Sequence, residues 1–442
     1  GRSSPHRSCA DAGKRTARSR LIPTVAHLTF PSTTAKSLGE RQMTSSTRQR
    51  SKITGICPPA QAYAIAELLR RSPAAVWLVV HEDIKQTDSL TEDVALFHQA
   101  GGGKSSLEVM NFPEAQTVNR EMREAFNAAS DRFSVLSKLS GLRRATHRSG
   151  TLVILATPAA LLQPVPPPGD FASRESELRR GQTHPFQELL KLLQSFDYDS
   201  EAVCEAPGQY AVRGGIVDVY PITALQPYRL DFFGDTLEEI RTLDPVTQRS
   251  GEPVETLTLT AAPRSLAMSK PASLLDYLAP ATHAVLLEPK PLEELFDSLA
   301  NDDAPDFAQR LPQTCAQLFG IGDLDLISAL FDHAETEETW DTESLAHHRA
   351  YPQERLLAHE RLHAEEDGRR RFLGEIAAWK KQGYAIDIVV SKEGEEQRIR
   401  ELLDEDPELK KIKPRYLRGT LNEGFRITFR ERATEEAHRA LH

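Results

Sequence analysis

Apolar runs alternate with amphipathic stretches through the first part of the chain. Residues 60–71 carry apolar positions at helical spacing, and residues 75–80 (AVWLVV) form a continuous apolar run. Residues 89–97 and 113–139 return to helical spacing, and residues 151–155 (TLVIL) form another continuous run. Continuous apolar runs are typical of strands covered on both faces, and their alternation with helices predicts a doubly wound α/β domain.

A different pattern occupies residues 208–250, where apolar and polar residues alternate strictly. This pattern predicts an antiparallel sheet with one buried face and one solvent-exposed face. Gly214-Gly215 interrupts the pattern, which suggests a bulge or a close backbone approach. Gly234-Asp235 predicts a two-residue hairpin turn. With an amphipathic helix at residues 185–196, the segment predicts a small α+β unit.

Apolar strand patterns return at residues 256–260 and 284–289, so we predict that the first domain resumes there and is discontinuous. The predicted fold class is α/β. The predicted organisation is a disordered or non-native leader (1–50), a nucleotide-binding-type domain in two parts (51–168 and 253–345), an inserted α+β domain (169–252), a small α/β domain (346–425) and a tail of uncertain role (426–442).

Charge is distributed unevenly along the chain. The net charge is −10, yet residues 1–50 hold ten Lys or Arg against two Asp or Glu. A basic nucleic-acid arm and a transit peptide are alternatives for this leader, but an unstructured segment fits its composition best. The acidic remainder argues against broad, unaided binding to a phosphate backbone.

The cysteine spacing and the hydropathy of the chain indicate the cellular compartment to expect. The four cysteines are widely scattered, and they match neither a zinc spacing nor a disulfide framework, so a reducing cytoplasm is the expected compartment. No run approaches the roughly 18 apolar residues of a membrane helix, so we expect no membrane partner.

The segment in the position of a phosphate loop lacks the residues of that motif. A strand pattern ends at Gly55, and the following residues include Cys57, Pro58 and Pro59. A phosphate loop needs a second glycine, a lysine and a hydroxyl, all missing here, and proline removes amide donors. A second candidate, at residues 101–105 (GGGKS), follows a helix and lacks the first glycine. The sequence predicts no cofactor site and no catalytic residue.

Two patterns suggest metal chemistry weakly. His359-Glu360-x-x-His363 has the zincin spacing, which makes a zinc-dependent hydrolase a formal alternative. The surrounding helix is highly charged, so a solvated helix face is the preferred interpretation. Glu288 ends an apolar strand and could hold magnesium, but no phosphate loop completes such a site. We therefore predict no metal site.

The 208–250 segment carries a family resemblance. Residues 210–221 (YAVRGGIVDVYP), 228–235 (YRLDFFGD) and 241–250 (RTLDPVTQRS) resemble the UvrB-homology module. The excinuclease subunit UvrB and the bacterial transcription-repair coupling factors (Mfd) share this module, and the resemblance spans about residues 53–300. A degenerate phosphate loop in this place is the pattern of the coupling factors. Residues 370–403 and 421–425 resemble their next domain.

The resemblance implies a degenerate RecA-like (P-loop NTPase-like) domain with an inserted UvrA-binding domain. It implies a non-catalytic adaptor, the amino-terminal piece of a protein that links stalled RNA polymerase to nucleotide excision repair. ATP, magnesium, double-stranded DNA and RNA polymerase belong to the full-length family, an ATP-dependent DNA translocase. A UvrB-like nucleotide-dependent repair subunit remains the alternative.

The resemblance also implies which residues contact UvrA. Arg213 matches best, and Arg229 and Tyr220 are further candidates on neighbouring strands. Arginine suits a carboxylate-bearing partner because its planar guanidinium bonds two oxygens at once. The competing interpretation is that Arg213 pairs with an aspartate of its own sheet. At Asp199 the family often has arginine, and this reversal of charge could weaken the interface.

Overall fold

The computed structural model describes residues 50–71, 74–82, 87–103, 106–115, 122–144, 150–263, 272–279, 281–288, 323–327, 336–348 and 358–428. The leader predicted at residues 1–50, apart from its last residue, and the tail beyond residue 428 lie outside these ranges. The described chain is a mixed α/β structure with parallel and antiparallel sheets.

A parallel sheet forms the centre of the first domain. Its strands come from both sides of the predicted insertion, as expected for a discontinuous sheet. Numbered by chain position, they lie in the spatial order β15 (Thr336–Thr339), β1 (Arg50–Thr54), β14 (Asp323–Ile327), β13 (His283–Leu287), β2 (Val76–Val80), β4 (Thr151–Ala156) and β3 (Leu107–Phe112). The sequence pattern had not indicated β3.

Helices cover both faces of this sheet. In β2, Leu78 faces a core shared with α3 (Met122–Arg144), whereas Trp77 and Val79 face a core shared with α1 (Gln61–Arg71). The helix α2 (Thr87–Ala100) packs beside α1. Because both faces are buried, the strand has no polar face, which explains its continuous apolar run.

The second sheet is the predicted insertion. It contains β6 to β11, and we call it the inserted sheet. Neighbouring strands are antiparallel, except that β6 runs parallel to β7. In chain order the strands are β6 (Asp199–Ser200), β7 (Gln209–Arg213), β8 (Ile216–Val219), β9 (Tyr228–Phe233), β10 (Thr236–Leu243) and β11 (Ser250–Pro253).

The inserted sheet buries one face against α6 (Phe186–Ser195) and a two-stranded ribbon. The ribbon pairs β5 (Glu175–Arg179) with β12 (Thr256–Thr260). Leu257 and Leu259 of β12 lie in the same core as Leu193 of α6. The packing therefore joins residues 256–260 to the inserted unit, although the sequence pattern suggested that they belong to the resumed domain.

A buried arginine holds the proline-rich connection into the inserted unit. Short helices α4 (Pro158–Leu162) and α5 (Pro168–Ala172) flank this connection. Arg132 of α3 donates to the carbonyl oxygens of Pro113 (2.8 Å) and Pro164 (3.4 Å) and lies 4.1 Å from the ring centroid of Phe112. Burial lowers the pKa of Arg132 to about 9. Its donors satisfy backbone acceptors that would otherwise be buried without partners.

A third module packs against the first domain. It contains α7 (Ala358–Lys381), β17 (Asp387–Val390), α8 (Glu393–Asp404) and β18 (Arg415–Arg418), with β17 and β18 parallel. A ribbon pairs β16 (Asp341–Ser344) with β19 (Phe425–Thr428). Residues 426–428, which we had placed in an uncertain tail, therefore belong to a strand. Short 3₁₀ turns span Pro58–Ala60, Leu274–Tyr277, Ala346–His348 and Leu409–Lys411.

Aromatic and polar contacts connect the third module to α1 and α2. Phe425 lies 5.6 Å from Phe97 and 5.9 Å from Tyr63, measured between ring centroids. Ser89 accepts a hydrogen bond from Asn422 at 2.9 Å, and Glu92 accepts one from Thr420 at 2.7 Å. Ser89 and Glu92 lie inside α2, and their side chains are used in this tertiary contact.

Candidate partner-binding surface

Two hairpins build the inserted sheet and decide which side chains face solvent. Gly214-Gly215 is the turn between β7 and β8, and Gly234-Asp235 is the turn between β9 and β10. Gly214 and Gly234 both have a φ of +62°, which favours glycine. A Cβ at Gly215 would lie 2.8 Å from the carbonyl oxygen of Phe232, so the paired glycine makes a hairpin turn with a close backbone approach.

Alternation divides the inserted sheet into two faces. The inner face holds apolar residues such as Tyr210, Val217 and Leu230, which pack on α6 and the ribbon. We call the opposite side the outer face. Its members follow from strand register: Ala211, Arg213, Ile216, Asp218, Arg229, Asp231, Phe233, Glu239 and Arg241.

Arg229 is bound within the sheet. Its Nε and Nη2 atoms donate to the two carboxylate oxygens of Asp218 at 2.7 and 2.8 Å. The Asp218 side chain is 1% exposed and that of Arg229 is 18% exposed. The hydrogen bond to Asp218 raises the pKa of Arg229. Arg229 therefore stabilises the sheet by pairing a buried carboxylate, and its guanidinium is occupied within the chain.

Arg213 lies exposed at the end of β7 and forms no ion pair with any described residue. Its Nη2 atom donates to the carbonyl oxygen of Ala202 at 2.9 Å. The predicted competitors, Asp218 and Asp231, do not bond it, because Arg229 holds Asp218 and Asp231 lies two strands away across Ile216. Arg213 therefore presents donors to solvent.

Tyr220 and Asp199 lie at other parts of the sheet. Tyr220 is half-buried, and its hydroxyl donates to the carbonyl oxygen of Leu225 at 2.8 Å. Burial raises its pKa. Asp199 is exposed on the edge strand β6, where its backbone amide donates to Gly208. The segment that follows β6 includes Ala202, the residue bonded by Arg213, so Asp199 and Arg213 belong to the same edge of the sheet.

Phe233 is an outer-face residue that the sequence-based candidates had omitted. Its side chain is 77% exposed, whereas its neighbour Phe232 turns inward and contacts Phe186 at 5.3 Å between ring centroids. The available signal was the alternation of β9, which places a large apolar residue on the same side as Arg229 and Asp231.

The loop after β1 contacts the chain itself. The amide of Cys57 donates to the Thr342 hydroxyl at 2.7 Å, and that hydroxyl donates to the Gly55 carbonyl at 2.8 Å. Gly55 has a φ of +75°, and a Cβ there would lie 2.0 Å from the Trp340 carbonyl oxygen. Pro58 and Pro59 open the 3₁₀ turn before α1. Residues 340–342 thus contact the loop after β1 through both backbone and side-chain atoms.

The metal candidates have little structural support in the described residues. Residues 359–363 lie in the helical backbone of α7, but their side chains fall outside what the structure describes. No group of three or more His, Cys, Asp or Glu suited to a metal occurs among the described residues. Glu288 accepts a 3.5 Å hydrogen bond from Gln61.

Within the ranges that the structure describes, no helix is both long and apolar enough to cross a membrane.

Comparison with known proteins finds a family match within the inserted unit. Residues 177–264 match the UvrB interaction domain family, and this range contains the inserted sheet with both of its hairpins. The matched range also includes β12, in agreement with its packing against α6. The sequence resemblance to the UvrB-homology module is therefore confirmed.

Several curated relatives that the chain resembles are transcription-repair coupling factors. The transcription-repair-coupling factor of Staphylococcus haemolyticus (strain JCSC1435) is 28% identical over 215 residues, covering 48% of this chain and 17% of that protein. The factor of Bacillus subtilis (strain 168) is 23% identical over 207 residues, covering 47% and 16%. That of Staphylococcus aureus (strain USA300) is 26% identical over 211 residues, covering 48% and 17%. The matched segment thus spans about a sixth of each relative.

Proposed function

We propose that this chain is the UvrA-recruiting module of a transcription-repair coupling factor. In this role it links a stalled RNA polymerase to nucleotide excision repair in the cytoplasm, and it acts as an adaptor without catalysing a reaction itself. The observation that carries the proposal is the match of residues 177–264 to the UvrB interaction domain, together with an inserted sheet that leaves Arg213 exposed.

The parallel-sheet domain has a supporting role in this proposal. We assign it to a RecA-like fold that has lost its nucleotide site. Its discontinuous parallel sheet and the contacts of Gly55 and Cys57 with residues 340–342 support the assignment. ATP, magnesium, DNA and the polymerase are then ligands of the full-length coupling factor, through regions other than the inserted sheet.

Binding of purified UvrA to immobilised chain tests the adaptor role. We expect saturable binding, weakened about tenfold or more by Arg213→Ala, because a guanidinium paired with a partner carboxylate would be lost. Arg249→Ala is the matched control, since Arg249 is exposed in the loop between β10 and β11 at the other end of the sheet. Equal losses in the two variants would remove Arg213 from the interface, and absence of binding would refute the adaptor role.

Calorimetric titration with ATP and magnesium distinguishes the adaptor from the UvrB-like, nucleotide-dependent alternative. The adaptor interpretation expects no binding heat, because residues 340–342 contact the loop after β1. Saturable heats would support a nucleotide-dependent subunit instead. Loss of those heats in Cys57→Pro, which removes the loop amide, would place the nucleotide at this loop.

A further inference from the structure

An exposed patch lies on the outer face, at the end of the inserted sheet where both hairpins turn. We call it the hairpin-tip patch and define it by Arg213, Gly214, Phe233 and Gly234. Phe233, its apolar member, is 77% exposed. Register brings the two hairpins together, because Arg213 pairs with Ile216 and Ile216 pairs with Asp231, two residues before Phe233.

The exposure of Phe233 is not needed to form its hairpin. The β9–β10 turn is anchored through Asp235, whose carbonyl oxygen accepts from the His184 amide at 2.8 Å. Its carboxylate accepts from the Phe186 amide at 2.9 Å. Phe232 supplies the inward packing of the same strand. Among the described aromatic rings, none stacks on Phe233, so this side chain is left in solvent.

The patch also carries the unpaired positive charge of the outer face. Arg229 holds Asp218, and Arg241 donates to Glu239 at 2.7 Å, so each is paired within the sheet. Arg213 bonds only the Ala202 carbonyl among the described residues. A guanidinium with free donors beside an exposed aromatic ring is the combination that protein interfaces use at their energetic centres.

The backbone at the patch is open to close approach. A Cβ placed on Gly214 or on Gly234 would meet no other atom within 4 Å. Both turns therefore present bare backbone beside Phe233 and Arg213. A partner surface can pack closely against the ring and reach the guanidinium without displacing a side chain.

We infer that the hairpin-tip patch is the centre of the UvrA contact, with Phe233 as its apolar anchor. Phe233 enters an apolar pocket on UvrA, and Arg213 pairs with a carboxylate at the rim of that pocket. Arg229 is a positioning residue that keeps Asp218 neutralised beneath the face. This inference rests on the proposed function, because it identifies where on the inserted sheet the same partner binds.

Truncating the anchor tests the inference in the full chain with purified UvrA. Phe233→Ala should weaken the Kd by roughly 30-fold or more, as expected for an aromatic hot spot. Leu225→Ala is the matched control, because Leu225 is 99% exposed at the opposite end of the same sheet. It should change the Kd by less than about twofold. Both variants should keep the wild-type thermal midpoint, because neither side chain is buried.

The outcomes separate the inference from the proposed function. If the wild-type chain binds UvrA and Phe233→Ala binds within about twofold of it, the anchor assignment is overturned while the adaptor role stands. Equal losses in Phe233→Ala and Leu225→Ala would also overturn it, since the effect would not be local. If the wild-type chain does not bind UvrA, the proposed function fails and the inference fails with it.

Discussion

Replacing Gly55 by alanine should be among the most damaging single-methyl changes in this chain. Gly55 lies directly after β1 with a φ of +75°, and the added Cβ would lie 2.0 Å from the carbonyl oxygen of Trp340. No rotation of the methyl group relieves this overlap, because both clashing groups are fixed to backbone. The segment around Trp340 must therefore move away from β1.

The size of the effect follows from what that movement breaks. The amide of Trp340 donates to Thr54 at 2.8 Å, and the Thr342 hydroxyl bridges Gly55 and Cys57 through bonds of 2.8 and 2.7 Å. Losing these three hydrogen bonds lowers the free energy of unfolding by about 3 kcal/mol. Left-handed strain in alanine adds about 1–2 kcal/mol, giving about 4–5 kcal/mol for Gly55→Ala.

Gly102→Ala is the control for the backbone strain alone. Gly102 has a φ of +77°, nearly that of Gly55, yet its Cβ would meet nothing within 4 Å. It should lower the free energy of unfolding by only about 1–2 kcal/mol. Urea titrations followed by tryptophan fluorescence measure both variants, since Trp340 itself reports on the segment.

The comparison has a clear refuting outcome. If Gly55→Ala and Gly102→Ala destabilise the chain equally, the contact with Trp340 contributes nothing and residues 340–342 do not hold the loop. In that case the loop after β1 would be free to accept a ligand, and the proposed loss of a nucleotide site would lose this support. A difference of about 3 kcal/mol supports the interpretation that residues 340–342 hold the loop after β1.

Two further predictions concern charge. Arg229→Ala should lower the free energy of unfolding by roughly 3 kcal/mol, because it leaves Asp218 buried without a partner. The double variant Asp218→Ala/Arg229→Ala should be less destabilised than Arg229→Ala, and denaturant titrations showing the reverse would contradict the pairing argument. Burial raises the pKa of Asp93 from 3.8 to about 6, so stability should fall as pH rises between about 4 and 6. Asp93→Asn should flatten this slope and be the more stable form above pH 6, and an unchanged slope in unfolding measured from pH 4 to pH 8 would refute this assignment.

Local pattern determined much of this protein from the sequence. The continuous apolar runs predicted β2 and β4 because a strand buried on both faces has no polar positions, and the structure places helices on both sides of them. The alternation at residues 208–250 predicted β7 to β10, since side chains repeat every two residues in a strand. Gly234 marked a turn that needs a positive φ, whereas the hairpin turn at Gly214-Gly215 had been predicted only as a bulge or a close backbone approach.

The sequence was less informative where a strand is short or charged. The strand β5 (Glu175–Arg179) gave no strand signal, because four of its five residues are charged or polar and only Leu178 is buried. It forms because β12 supplies its hydrogen-bond partners from about 80 residues away, a pairing that no local pattern encodes.

Only the tertiary structure showed which arginine is paired within the sheet and which residues contact the loop after β1. In the sequence, Arg213 and Arg229 are both candidate contacts, and no local pattern shows which of them is paired within the sheet. Strand register places Asp218 beside Arg229, and the resulting ion pair leaves Arg213 as the one with donors facing solvent. The contact of Gly55 with Trp340 joins residues far apart in the chain, and it follows from the pairing of β1 with β15 in the central sheet. Residue spacing determines which face a side chain occupies, whereas long-range packing decides whether that side chain remains available to a partner.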